Sequence, residues 1–270
     1  NGSDEVLDLL FRAFCEPNED SILTLTPTYG MYGVLANLNA VKQLSVELTP
    51  DFQIDEQAVL SAIQPHTKLI FICSPNNPSG NLMQSTAITR ILNHFNGIVV
   101  IDEAYIDFTD KKSWVEDLSS YSNLVIIQTL SKAYGLAGIR LGICFADKKI
   151  ISVLNKIKPP YNINTLTQKT ALEALSKDDV IQKQVQIILS ERKLLISNFE
   201  HMHWIKTIYP TEANFILIRV DDANLRYKQL TQKGVIVRNR TLQPLCENCL
   251  RITVGNPEEN KKLISVFKTL

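Results

Sequence analysis

The sequence predicts an α/β protein, a mostly parallel sheet layered with helices, followed by a smaller α+β module. Three observations carry that expectation. Apolar runs of four to six residues alternate with longer stretches of helical period over residues 1–178, the pattern left by buried parallel strands joined through helices. Beyond that point short strand-like runs crowd around two helical stretches, a different texture. Finally, 270 residues, 45% of them hydrophobic and 21% charged, suffice for a large core and lie near the size, about 250–300 residues, at which one core stops growing and a second unit is favoured.

Taken in order, strands are expected at 21–25, 41–46, 68–73, 97–101, 123–128 and 140–145. Most are runs of Val, Ile, Leu and Phe of strand length, with helical stretches between them. The segment from Thr165 to Glu200 contains neither Gly nor Pro and reads as helix, with a break near Lys177-Asp178-Asp179. The domain boundary is placed inside that stretch, giving a large domain over 1–178 and a small one over 179–270 tied together by helix rather than by a flexible linker. In the second part, strands at 204–208, 213–219, 235–238 and 250–254 surround a helix over 222–233, and a last helix starts near 257.

The 28 basic side chains balance 28 acidic ones, so the formal charge is zero. This lacks the basic footprint of a nucleic-acid binder or a protein of anionic membrane surfaces. No apolar run approaches the roughly 20 residues of a membrane-spanning helix. Five cysteines, Cys15, Cys73, Cys144, Cys246 and Cys249, form an odd set inside mostly apolar stretches, which points to a reducing compartment, the cytoplasm, rather than a disulfide framework. Cys246 and Cys249 have CxxC spacing but no second pair, and His201 and His203 have no third ligand, so no metal is expected. Neither a GxxxxGK[ST] loop nor a GxSxG elbow is present, which leaves a nucleotide hydrolase or a serine esterase without support.

In open α/β sheets ligands sit beyond the carboxyl ends of the strands, and the loops there are unusual. After 68–73 comes Ser74-Pro75-Asn76-Asn77-Pro78-Ser79-Gly80; after 97–101 comes Asp102-Glu103-Ala104-Tyr105; after 123–128 comes Thr129-Leu130-Ser131-Lys132, running on to Arg140. The chain opens with Gly2-Ser3-Asp4 leading into an amphipathic helix. Asp102 follows an entirely apolar strand, so its charge is nearly buried and calls for a cation. The glycine-led helix start offers free N–H groups and a positive dipole end to an anion. Arg251, inside the run Cys249–Val254, calls for an anionic partner. Each residue judged alone also has a bland reading: Lys132 as a solvated lysine, Asp102 as a helix cap, Asn77 as a turn former, Tyr29 as core and Arg140 as a surface ion-pair residue.

Together and in this order, and with Pro27-Thr28-Tyr29-Gly30-Met31-Tyr32 and Cys249-Leu250-Arg251-Ile252-Thr253-Val254-Gly255, these motifs resemble the fold-type I pyridoxal-phosphate (PLP) aminotransferases, and in detail the histidinol-phosphate aminotransferase family. The resemblance covers essentially the whole chain. It implies the three-layer, aspartate-aminotransferase-like fold and pyridoxal 5'-phosphate as cofactor. It further implies that Lys132 carries the cofactor as a Schiff base and shuttles the substrate's α-proton, while Asp102 keeps the ring nitrogen protonated. By the same resemblance Asn77 and Tyr105 bond the phenolic oxygen and Tyr29 stacks on the ring. Gly2, Ser3, Asp4, Ser131 and Arg140 would form the phosphate cup. Arg251 grips the substrate carboxylate and Arg238 the phosphate of histidinol phosphate, with Arg240 either sharing that role or simply solvated.

The implied reaction moves an amino group between glutamate and imidazole-acetol phosphate, giving histidinol phosphate and 2-oxoglutarate, in a homodimer. The alternatives are an aromatic or aspartate aminotransferase or a threonine-phosphate decarboxylase of the same fold, a PLP-binding sensor module, or a form that binds cofactor without turnover. The family's chains carry a segment ahead of Asn1-Gly2-Ser3-Asp4, including a tyrosine that reaches the partner's cofactor phosphate. This chain opens on the motif itself, and a shortened or processed form is the expectation. Ser79 stands where threonine is commoner.

Overall fold

The computed structural model describes all 270 residues, Asn1–Leu270. Two sheets organise the chain. The first has six strands, β1 (Ser21–Thr26), β2 (Lys42–Glu47), β3 (Thr67–Cys73), β4 (Ile98–Asp102), β5 (Leu124–Thr129) and β6 (Gly142–Ala146), in the order β2-β1-β3-β4-β5-β6. Every neighbouring pair is parallel except β5 and β6. Side chains alternate between the two faces, as the period of two requires. Ile70, Ile72, Val99, Ile101 and Ile126 meet helices α3 (Glu56–Ala62) and α4 (Ser85–His94) on one side. Leu69, Phe71, Val100, Val125 and Ile127 meet α1 (Ser3–Phe14), α2 (Met31–Leu38) and α5 (Lys148–Ile157) on the other. The result is helix, sheet and helix in three layers. Burial on both faces explains why β3, β4 and β5 read as continuous apolar runs.

The second sheet is antiparallel, β7 (Ile205–Ile208), β8 (Phe215–Val220), β9 (Arg238–Asn239) and β10 (Cys249–Thr253), in the order β7-β8-β10-β9. Its core is Leu195, Phe199, Trp204, Ile216, Ile218, Leu250, Ile252, Leu263 and Phe267, supplied in part by α8 (Ala223–Gln232) and α9 (Pro257–Phe267). Helix α9 starts on a capping box, Asn256 with Glu259, and Pro257 in its first turn, a start that contributes about 1 kcal/mol.

Between the sheets, α6 (Thr165–Leu175) gives way to the 22-residue α7 (Asp178–Phe199), about 33 Å long at the usual rise per residue. The break thus falls where the Lys177-Asp178-Asp179 run stands. The first turns of α7 place Ile181 and Val185 against Tyr105, Phe108, Ala133 and Phe215; its last turns enter the second core through Leu195 and Phe199. No helix is long and apolar enough to cross a membrane.

Two elements differ from expectation. The strand expected from 140 begins at Gly142, because Arg140 turns the chain in the left-handed region at φ 53°. The strand expected over 235–238 shrinks to Arg238–Asn239. Val235-Ile236-Val237 runs along the sheet's outer edge with Ile236 76% exposed, so the β-branched run has no neighbouring strand there to bury it.

Candidate active site

The carboxyl ends of β3, β4 and β5 and the first residues of α1 converge on a cavity of about 210 Å³. Asp102, the last residue of β4, lies in register with Cys73 of β3 and is only 4% exposed. Its Oδ2 accepts a hydrogen bond from the Tyr32 hydroxyl at 2.9 Å and its Oδ1 one from the Ala104 N–H at 3.1 Å. Both donors are neutral. Burial therefore dominates and pushes the carboxyl up to about 6, against the downward pull of those two bonds. Such a group favours a cation at its free side.

Lys132 follows β5 in the same cavity. Burial first, and the Arg251 charge second, lower its pKa from the usual lysine range. Its Nζ stands 5.5 Å from the centre of the Tyr105 ring. An amine depressed in this way is more available as a nucleophile and proton carrier. Tyr105 is buried edge-on against Phe215 at 5.1 Å, and desolvation raises its hydroxyl to about 12. It therefore stays protonated and acts as a donor.

Asn77 lines the cavity and its Oδ1 accepts a 2.5 Å bond from Arg251 Nη1. This link joins residues 174 positions apart and ties the β3 loop to β10 of the second sheet. With the carbonyl oxygen engaged, the Asn77 amide N–H groups remain to donate. Arg251 lies over the Phe215 ring at 4.7 Å, and its buried Nε has no partner.

At the opposite wall, α1 begins without a side-chain cap, so its first N–H groups stay available. Gly2 has φ 79° and donates to the Arg140 carbonyl at 2.7 Å. A Cβ there would come within 2.7 Å of Arg140 Nη2, so glycine is what lets the guanidinium cross the helix start. Ser3, Asp4, Ser131 and Arg140 all line the cavity beside it. Arg140 Nη2 stands 3.7 Å from Asp4 Oδ2, and the Tyr29 hydroxyl donates to Asp4 Oδ1 at 3.0 Å. Ser131 is held by Thr129, whose hydroxyl lies 2.9 Å from its Oγ and 3.1 Å from its N–H.

The fold thus gathers Ser3, Asp4, Tyr29, Asn77, Asp102, Tyr105, Ser131, Lys132 and Arg140 in one cavity. Gly2 and Arg251 lie just behind its walls. Arg238 is exposed on β9, opposite Arg251 in the β9–β10 register. The ladder continues as Arg240 N–H donates to the Cys249 carbonyl, so Arg238, Arg240 and Arg251 share one sheet face. None of the three forms an ion pair with a carboxylate, and the Arg240 Nε is buried without a partner.

Sequence reasoning missed four contributors. Thr129 and Cys73 line the cavity, Tyr32 holds Asp102, and Gly142 lets α1 approach β6, since a Cβ there would run into the backbone of Gly2 and Ser3. A glycine at the start of a strand pattern was the available signal for the last. Tyr32 stands three residues beyond Tyr29, but Tyr29 precedes α2, so no helical spacing marked it. Nothing local marked Thr129 or Cys73.

A desolvated carboxylate on neutral donors, a depressed lysine, an uncapped helix start crossed by arginine and two hydroxyls together suit PLP: a protonatable ring nitrogen, an aldehyde, a phosphate and a phenolic oxygen. The family model described as aminotransferase class I and II matches residues 1–267. The chain belongs to this family of PLP-dependent transaminases. It is 58% identical over 270 residues to the histidinol-phosphate aminotransferase of Flavobacterium johnsoniae, covering 100% of this chain and 77% of that one. Among solved structures, the histidinol-phosphate aminotransferase of Clostridium acetobutylicum superposes with a TM-score of 0.91 at 26% identity, covering 99% and 81% of the two chains. The fold is also that of the histidinol-phosphate aminotransferase of Sinorhizobium meliloti solved with pyridoxal-5'-phosphate, with a TM-score of 0.89 at 22% identity over 99% of this chain and 76% of that one.

Proposed function

We propose that the chain transfers an amino group between L-glutamate and imidazole-acetol phosphate, a reading supported by relatives that bear the name histidinol-phosphate aminotransferase. The carrying observation is the placement of Lys132 and Asp102 in one cavity, beside a sheet face bearing three arginines without carboxylate partners. PLP, when bound, supplies an aldehyde for the substrate amine and a ring that accepts the electron pair left at the substrate Cα.

In this reading Asp102 faces the ring nitrogen and keeps a proton on it. Lys132 Nζ would take the proton from the substrate Cα and deliver it to the cofactor's former aldehyde carbon within the same half-reaction, and would run that transfer in reverse in the other. Tyr105 and Asn77 donate to the phenolic oxygen, and Tyr29 covers the ring. Ser3, Ser131, Arg140 and the α1 N–H groups behind Gly2, that of Asp4 among them, hold the phosphate. Arg251 takes the substrate carboxylate by a bidentate fork, and Arg238 takes the substrate phosphate. Arg240, with its unpartnered Nε, shares that phosphate and favours phosphorylated over plain amino acids.

Residues 1–178 serve as the cofactor domain and 179–270 as the substrate domain, with α7 bracing the two. A cytoplasmic homodimer fits the same reading. Tyr161 and Leu172 are exposed beside a largely apolar groove that includes Leu9, Ile151 and Leu154, a patch of the kind that subunit contacts cover.

The test is the half-reaction. Histidinol phosphate added to the PLP-loaded enzyme should convert the visible absorbance to the near-ultraviolet band of the aminated cofactor. Arg238→Ala and Arg240→Ala should each weaken histidinol phosphate at least about tenfold more than glutamate, the scale of a lost charge-assisted bond. Equal losses for both substrates would contradict the assignment.

A further inference from the structure

We propose that Tyr32 is a positioning residue that sets the aim and the ionisation of Asp102 through its hydroxyl. The proposal rests on the reading that Asp102 faces the cofactor's ring nitrogen. Tyr32 is 0% exposed in the first turn of the cofactor domain's α2, an unusual place for a hydroxyl unless it has a partner. That partner is Asp102 Oδ2 at 2.9 Å.

Its ring is fixed independently of this bond. It stacks on Phe71 at 4.8 Å, Phe71 stacks on Phe11 of α1 at 5.4 Å, and Tyr29 meets it edge-on at 5.6 Å. The aromatic ladder therefore orients the hydroxyl, and the hydroxyl orients the carboxylate. With Ala104 N–H occupying Oδ1, each Asp102 oxygen has one fixed donor, and the carboxylate cannot turn without breaking one of them.

The other charged or titratable groups that bear on Asp102 are Asp4 from α1, which raises its pKa, and Lys132 from the loop after β5, which lowers it. Cys73 of β3 and Tyr29 and Tyr105 at the cavity wall complete the set. After burial, the Tyr32 bond is the largest influence on Asp102 and the largest favouring its anion. Without that hydroxyl the carboxyl would protonate at higher pH and cede its proton-holding role at the ring nitrogen.

The experiment uses Tyr32→Phe, Asp102→Asn and the double variant of the full chain. Carbon-13 aspartate spectra of the chain without cofactor should show the Asp102 midpoint rising by about one unit in Tyr32→Phe. In the enzyme loaded with nitrogen-15 PLP, the ring-nitrogen shift should move toward the unprotonated value at pH 8, with the glutamate half-reaction slowed about tenfold, the effect of roughly one such unit. In the Asp102→Asn background the same tyrosine change should do nothing further.

An unmoved Asp102 midpoint, or an equal loss in the Asp102→Asn background, overturns the proposal and leaves Tyr32 a core residue. A ring-nitrogen shift indifferent to Asp102→Asn overturns the reading of Asp102 itself, and is separable because the cofactor-free titration does not depend on it. Should Tyr32→Phe fail to fold, the Tyr32 Cζ resonance of the unaltered chain must titrate with Asp102 near its midpoint; a flat response overturns the proposal equally.

Discussion

Asp102 is ionisable where ionisation is costly, and this sets a pH dependence. Its carboxyl is raised from 3.8 in an unfolded chain to about 6 in the folded, cofactor-free protein. The folded state therefore holds this proton more tightly, and the associated stability is fully present below about pH 3.8 and lost as pH rises through about 6. The loss is on the order of 3 kcal/mol. Asp102→Asn, which cannot ionise, should make the cofactor-free protein more resistant to urea at pH 8, with the advantage gone by pH 4; denaturation midpoints across that range check it. A variant less stable at both pH values would contradict the origin assigned to the shift. The burial of Asp102 was legible in the sequence, because it closes an all-apolar strand. Tyr32 was not, since the partner sits 70 positions away in sequence and only the closing of β4 beside α2 reveals it.

At the scale of elements, the proposed phosphate site depends on how closely α1 approaches β6. Gly142 has no room for a side chain: a Cβ would lie 2.5 Å from the Gly2 carbonyl carbon and closer still to Ser3 N. Both obstacles are backbone and cannot swing aside. Gly142→Ala should push the α1 start away from Ser131 and Arg140, weakening PLP binding at least about tenfold and destabilising the fold by about 1–3 kcal/mol; cofactor titration followed by thermal unfolding measures both. Strand positions were legible to within about two residues because buried parallel strands leave unbroken apolar runs. The errors have local causes. Arg140 was read into β6 because its neighbours are apolar, although its backbone is left-handed. Val235-Ile236-Val237 looked like a strand because composition does not distinguish an edge from a paired position.

At the scale of the molecule, the proposed reaction requires the two sheets to be held in register, since the residues assigned to cofactor and to substrate come from different ones. Several connections do this. Leu217, Cys246 and Cys249 pack into the core around β3 and β4, α7 joins the second core to the cluster of Tyr105, Phe108, Ala133 and Phe215, the Glu212 N–H donates to the Gly80 carbonyl at 2.7 Å, and Arg251 reaches Asn77. The last also holds the guanidinium proposed to bind the substrate carboxylate next to a residue that lines the cavity. Arg251→Lys keeps the charge but loses the planar fork, so steady-state kinetics should show KM for glutamate rising about 10- to 100-fold. An unchanged KM would place the substrate carboxylate elsewhere. The second, antiparallel sheet was visible as a change of sequence texture in the last third of the chain, whereas the Arg251–Asn77 contact spans much of the chain and had no local mark.

The central claim is that Lys132 bears the cofactor opposite Asp102. Borohydride reduction of the PLP-loaded protein, followed by proteolysis and mass spectrometry, tests it most directly. The phosphopyridoxyl mass is expected on the peptide containing Ser131-Lys132-Ala133, and it should disappear in Lys132→Ala. The same label recovered on another lysine, or undiminished in that variant, would contradict it.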